Sequence, residues 1–432
     1  MKFETLKTTV LIILVITSLL LTFGLWNYQP NEDLQVTTNT NYLNEVDLGG
    51  KEETKRSIIK PSSIIFHSEG QYYGFSNPLE QDLLFQDMQE WVLSDFIRED
   101  QKGAFENDNQ VEVIFPNEIP VSVIQSLFVL KENEQLPDWS FRRAYITFNQ
   151  SYSSLNIYFP SVDGTEQVKF TINNASMYTQ LWNFVQTKQE LVSFIKYGPN
   201  NQPIYIPEDS IEMTIRSLAI ETIPPPKLLE ALFPNQSLIS SNVGEAYFTD
   251  GQRGMQVLQN GLGIEYINPV HSNKRNRNPL ELIDLSILDV NDHKGWTDDF
   301  RLENIDLTEN LIQYRMHYDG YPVYHRLGLT RIEQQWRDNE RFQYIRPLFK
   351  LNNLLGSDNI KLKSGEDVIN ALLNEGNYDL SYVTDLALGY RLNYLDRASY
   401  SVILYPAWFI KYRDEWQAMR FTDVEEMERG GE

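Results

Sequence analysis

The 432-residue chain contains no cysteine. Thiol catalysis, thiolate-ligated zinc and iron–sulfur clusters are therefore excluded. Disulfides are excluded too, although secreted eukaryotic domains usually carry them. Their absence fits an exported bacterial protein whose domains rely on large hydrophobic cores. Catalytic signatures are also missing. There is no H-E-x-x-H, and the five histidines (His67, His271, His293, His317 and His325) are not spaced for a helical zinc site. His67 and His317 fall in strand-like runs, which reads as ordinary hydrogen-bonded histidine. Neither a G-x-S-x-G elbow nor a phosphate-cradling G-x-x-x-x-G-K-[ST] loop occurs. Gly261-Leu-Gly263 lacks a third glycine and falls in a hairpin turn. The run from Asp289 to Gly295 has only a superficial likeness to a calcium loop. Lys294 stands where glycine is required, and no glutamate occupies the twelfth position.

Positive charge is scarce. Lys and Arg total 37 against 60 Asp and Glu, a formal net charge of −23. Such a chain repels nucleic acid and anionic membrane surfaces. Lys274, Arg275 and Arg277 form its one basic cluster, read as a solvated loop, with contact to an anionic wall polymer as the functional alternative. Acidic residues are abundant, but no carboxylate pair stands out for glycosidase chemistry. The sequence therefore calls for no catalytic residue, no metal and no cofactor.

What the sequence does have is one long apolar run. No charged residue occurs between Thr8 and Asn31. Roughly 20 helical residues cross the hydrocarbon core of a bilayer, so residues 8–29 suffice for one transmembrane helix. No small-x-small cleavage site follows, which favours an uncleaved anchor over a signal peptide. Lys2 and Lys7 precede the run, which places the seven-residue tail 1–7 in the cytoplasm and the rest of the chain outside. Trp26 and Tyr28 suit the outer interface. Thr17, Ser18, Thr22 and Gly24 lie along one side of this helix. Small residues and hydroxyls let transmembrane helices approach closely, so these four form a candidate docking face.

The remainder is expected to be α+β, with antiparallel sheets and packed helices in three extracellular domains. Residues 30–56 read as a polar stalk, 57–200 as an N-terminal ectodomain, 201–272 as a central meander domain and 273–432 as a C-terminal α+β domain. Strands are expected at Ser63–Phe66, Gln71–Phe75, Val111–Phe115, Ala144–Phe148, Leu155–Phe159 and Gln167–Ile172. Apolar spacing predicts a helix from Pro78 through Phe96 and a second from Ala175 to Ile195. Asp250-Gly251 and Asn260-Gly261 mark hairpin turns of the meander. Ser364 is expected to cap a helix through Leu373, with Asp367 at its third position. Val402–Tyr412 reads as the closing strand.

In this order along one chain, the motifs resemble the YycH family of low-GC Gram-positive bacteria. The resemblance is carried by Leu25-Trp26-Asn27-Tyr28 at the anchor's end, Phe248-Thr-Asp-Gly251 with Glu265-Tyr-Ile-Asn268-Pro269, Gly320-Tyr-Pro-Val323, Leu362-Lys-Ser-Gly365, Leu388-Gly389-Tyr390 and Pro406-Ala-Trp408. It implies a non-enzymatic accessory regulator of the WalK (YycG) sensor histidine kinase in cell-wall homeostasis. It also implies joint action with a single-pass YycI-like partner, through transmembrane and extracellular contacts. The competing expectation is a surface protein that binds or processes wall glycans. Its aromatic content of 12% would suit sugar stacking, but would equally fill cores.

Overall fold

Turn chemistry and alternating burial set out two large sheets. The computed structural model describes residues 46–421 apart from 102–106, 133, 152, 199–201, 236–238, 242–245, 270–276, 338, 375–377 and 397–399. The segment 8–29, with Thr17, Ser18, Thr22 and Gly24, lies outside the described residues, as do His271, Lys274 and Arg275. Among the described residues, no helix is long and apolar enough to cross a membrane.

The fold is α+β. Among the described residues, strands between Ser63 and Pro207 form a ten-stranded sheet and strands between Glu212 and Ala418 form one of fourteen. In the first sheet, Ser63–Ser68 lies between Gln71–Phe75 and Asn109–Pro120, and the meander Ser140–Asn149, Ser154–Pro160, Glu166–Ile172 extends it. In the meander's second and third strands Leu155, Ile157, Phe159, Val168, Phe170 and Ile172 are buried at alternate positions, as a sheet packed on one face requires.

The second sheet contains the hairpins Tyr247–Thr249, Gly254–Leu258 and Gly263–Ile267. Gly251 (φ 89°) and Gly261 (φ 96°) turn them, in a conformation that favours glycine. Gly263–Ile267 then pairs with Glu340–Pro347, so the meander runs on into the C-terminal strands. The long antiparallel pair Val383–Asp396 and Ser401–Tyr412 lies inside the sheet, which continues through Glu212–Thr222 to Phe349–Lys361.

Two helices are shorter than the spacing predicts. The first spans Pro78–Met88, and Val92–Asp100 is a strand paired with Glu166–Ile172. The second spans Ala175–Thr187; Lys188 ends it in the left-handed conformation (φ 54°), and Leu191–Tyr197 pairs with Gln71–Phe75. Pro279–Asn291 is a helix the spacing reading passed over. Asn278 caps it by accepting from Leu280 N at 2.9 Å, with Pro279 at its first position. Helix Gly365–Asn374 starts as expected: Ser364 Oγ accepts from Asp367 N (3.1 Å), and Asp367 Oδ2 accepts from Ser364 N (3.2 Å).

The main core cluster is continuous across both sheets, from Ile64, Phe66 and Phe141 to Trp296, Tyr314 and Tyr344. A smaller cluster sews Ile204 and Ile206 of the first sheet to Val368 and Leu372 of helix Gly365–Asn374 and to Leu386 and Trp408 of the second sheet. The two halves of the chain thus share buried surface, and a cavity lies in their seam.

Candidate functional site

Charged side chains in the seam are matched across it. Arg301, in strand Asp299–Asp306, donates through Nη1 and Nη2 to both carboxylate oxygens of Asp82 (3.0 and 2.6 Å), on helix Pro78–Met88. Its Nη2 also donates to Asp299 (2.7 Å), and Lys60 Nζ stands 3.2 Å from Asp82. Burial alone would lower the Arg301 pKa, but the hydrogen bonds and charges of Asp299 and Asp82 raise it. Burial likewise works against ionised Asp299, yet Arg301 holds its pKa below the usual carboxylate value. Elsewhere along the seam, Arg142 Nη2 donates to Asp385 (2.7 Å), and Asn117 contacts Asn304. Three backbone bonds tie residues 48–51 to 293–296: Leu48 N to His293 O, Gly50 N to Lys294 O and Lys51 N to Trp296 O. Gly365 N donates to Glu208 O at 3.1 Å; a Cβ on Gly365 would lie 2.2 Å from Pro207 O.

Behind these contacts a cavity of about 200 Å³ opens between the halves. Residues from both sheets line it: Ile64, Phe194 and Tyr205 from the first, and Tyr324, Leu386 and Trp408 from the second. Arg142, Arg143, Arg301 and Arg315 also reach its wall. Each has an acidic partner in the protein. Arg315 Nη2 donates to Glu303 (2.8 Å), and Arg143 binds Glu112. Lys411 lies opposite Asp385 in the neighbouring strand.

His317 also lines the cavity. Burial, with the nearby Arg301 charge, pushes its pKa down to about 3, so the ring is neutral near pH 7. Nδ1 is 3.0 Å from the Arg315 carbonyl oxygen and must carry the proton it donates there. Nε2 is then a bare acceptor with no protein partner among the described residues.

Beneath the cavity wall, Glu112 is only 1% exposed and anchors a polar cluster. Gln110 Nε2 donates to His67 Nδ1 (3.2 Å), and His67 Nε2 donates to Glu112 (2.9 Å). Arg143 occupies the other Glu112 oxygen and also donates to Pro203 O at 2.6 Å. Desolvation opposes the charge on Glu112, but His67 and Arg143 hold its pKa below the ordinary value. Both carboxylate oxygens are thus committed inside the protein, which suits a structural brace better than a proton shuttle. His67 fits the sequence expectation of a hydrogen-bonded histidine.

The calcium-like run resolves into ordinary structure. Asp289 and Asn291 lie in helix Pro279–Asn291; Asp289 accepts from Arg341 Nε (3.0 Å), and Asn291 accepts from Glu53 N (2.9 Å) and Trp296 Nε1 (2.7 Å). Among the described residues no group of three or more acidic or histidine side chains could hold a metal ion. Sequence reasoning gave no sign of the Arg301–Asp82 pair or the His317 acceptor. Arg301 and Asp82 are 219 residues apart, and no local pattern couples them.

Two family models cover most of the chain. Residues 4–190 match the family described as YycH protein, N-terminal domain, and residues 201–426 match YycH protein, C-terminal domain. Among curated proteins, the chain is 24% identical over 419 residues to a protein of Bacillus subtilis (strain 168), spanning 91% of this chain and 90% of the relative. That relative is described as two-component system WalR/WalK regulatory protein YycH. The crystal structure of YycH from Bacillus subtilis has the same fold, with a TM-score of 0.70 and 20% identity, covering 87% of this chain and 99% of that one.

Proposed function

The chain belongs to the YycH family, and on that premise we propose that it is a non-enzymatic regulator of a WalR/WalK-type two-component system. The observation that carries this reading is its length-wide kinship to a regulator so described, through both halves of the chain. Internal pairing of the seam's arginines and of Glu112 supports a scaffold over a catalyst.

In this reading residues 8–29 form a single-pass anchor with the N-terminus in the cytoplasm and the folded halves outside. Thr17, Ser18, Thr22 and Gly24 pack against the kinase's transmembrane helix or that of a YycI-like partner, and the target is cell-wall homeostasis. Control requires that the contact differ between two kinase states, because equal binding to both shifts nothing. The test is replacement of residues 8–29 by an unrelated spanning helix of equal length. Loss of target-gene regulation and of kinase co-purification is expected; full retention of both would refute the helix-packing mechanism. The glycan reading is tested by mixing the protein with purified peptidoglycan. Cleavage products or tight co-sedimentation would displace the regulatory reading.

A further inference from the structure

Independently of the regulatory reading, we infer that the seam cavity is a binding site for a small uncharged aromatic molecule that donates one hydrogen bond to His317 Nε2. Size sets the first limit. A cavity of about 150 Å³ lined by apolar side chains holds one benzene ring. At about 200 Å³ this one has room for a bicyclic ring of indole size.

The lining sets the second limit. Phe194, Tyr205, Tyr324 and Trp408 offer aromatic faces and edges, and Ile64 and Leu386 fill the gaps. Tyr324 already packs in tilted ring contacts with Phe409 (4.2 Å between centroids) and Trp416 (5.4 Å), so this aromatic wall is preformed.

Polarity sets the third. Arg142, Arg143, Arg301 and Arg315 are bound to Asp385, Glu112, Asp82 and Glu303. To use one of these guanidiniums an anionic ligand would have to break its pair and strand a carboxylate, which disfavours carboxylates and phosphates beside them. His317 offers an acceptor only, since its Nδ1 proton is committed to the Arg315 carbonyl. The matching ligand group is an N–H or O–H.

Because the site is built from both halves, an occupant fastens the seam and stabilises the fold by mass action. The test uses the full-length chain in lipid nanodiscs, with indole, 1-methylindole and benzoate as probes, read by calorimetry and thermal shift. Indole is expected to bind and raise the melting temperature. 1-Methylindole, which has no donor, should bind about tenfold more weakly, the value of one net hydrogen bond. Benzoate should not bind. His317→Phe should erase the difference between the two indoles, while His317→Gln, which keeps an acceptor, should retain it. Ala387→Trp, which fills the cavity from its wall, should abolish binding of both. No binding of indole to the native chain, equal affinity for the two indoles, or preference for benzoate would each overturn the inference. The native-chain comparison of probes stands even if a variant does not fold.

Discussion

Arg301→Met removes the cation that joins the two halves while keeping a side chain of similar length. Arg301 is 7% exposed and Asp82 14%, so water replaces little of what is lost. Two unit charges about 4 Å apart interact by ~4 kcal/mol at an effective dielectric of about 20. Lys60 remains 3.2 Å from Asp82 and offsets part of this. Asp299, at 44% exposure, is screened by solvent and adds little. The expected loss is therefore ~3 kcal/mol, the lower end of the range for stranding one partner of a buried pair. Adding Asp82→Asn removes the stranded charge and should recover at least ~1 kcal/mol of it, a coupling expected of residues in direct contact. Equilibrium urea unfolding by tryptophan fluorescence reads both, provided the slope with denaturant is unchanged. Acid adds a second readout. Asp299 titrates below its usual 3.8 in the folded protein, so its share of stability is present above that value and lost as pH falls through the depressed pKa. In Arg301→Met that acid-side loss should disappear. A single-variant loss under ~1 kcal/mol, or strictly additive losses in the double variant, would refute the reasoning.

Other consequences follow from the same packing. Gly365→Ala places a methyl group 2.2 Å from Pro207 O, and should cost ~1–3 kcal/mol as an overpacked seam, seen as a lower melting temperature. Ser364→Ala deletes the capping box of helix Gly365–Asn374 and should cost ~1 kcal/mol in urea unfolding. His317 has a folded pKa of about 3 against 6.5 in the unfolded chain, so the unfolded state takes up its proton first. Its contribution is complete above pH 6.5 and falls by up to ~1.4 kcal/mol per pH unit as pH drops toward 3. His317→Phe should flatten the stability profile in that window; an unchanged slope would count against a half-buried neutral imidazole.

Much of the fold was legible because local chemistry and final structure agree. Asp250-Gly251 and Asn260-Gly261 turn where expected, Ser364 caps its helix, and the alternation through Leu155–Phe159 is that of a one-sided strand. The errors share a cause. Apolar residues after Met88 and after Thr187 satisfy helical spacing, yet sheet pairing claims them: Val92–Asp100 finds Glu166–Ile172, and Leu191–Tyr197 finds Gln71–Phe75. No glycine announces the second stop, since Lys188 itself adopts the left-handed turn. The seam was invisible for a different reason. Its pairs, Arg301 with Asp82 and Arg142 with Asp385, join segments 219 and 243 residues apart, and only the folded chain brings them together.

The regulatory account rests most directly on the proposed anchor face, and the absence of native cysteine makes that face measurable. Single cysteines introduced along residues 10–28, one per variant, can be crosslinked in membranes to a kinase carrying cysteines in its own spanning helices. In the proposed helix, at about 100° per residue, Thr17, Ser18, Thr22 and Gly24 would share one side, with Ile16 and Phe23 on the other. The account predicts crosslinks to the kinase or its YycI-like partner at the first four positions and few at the last two. Uniform crosslinking around the helix, or none at any position, would contradict it.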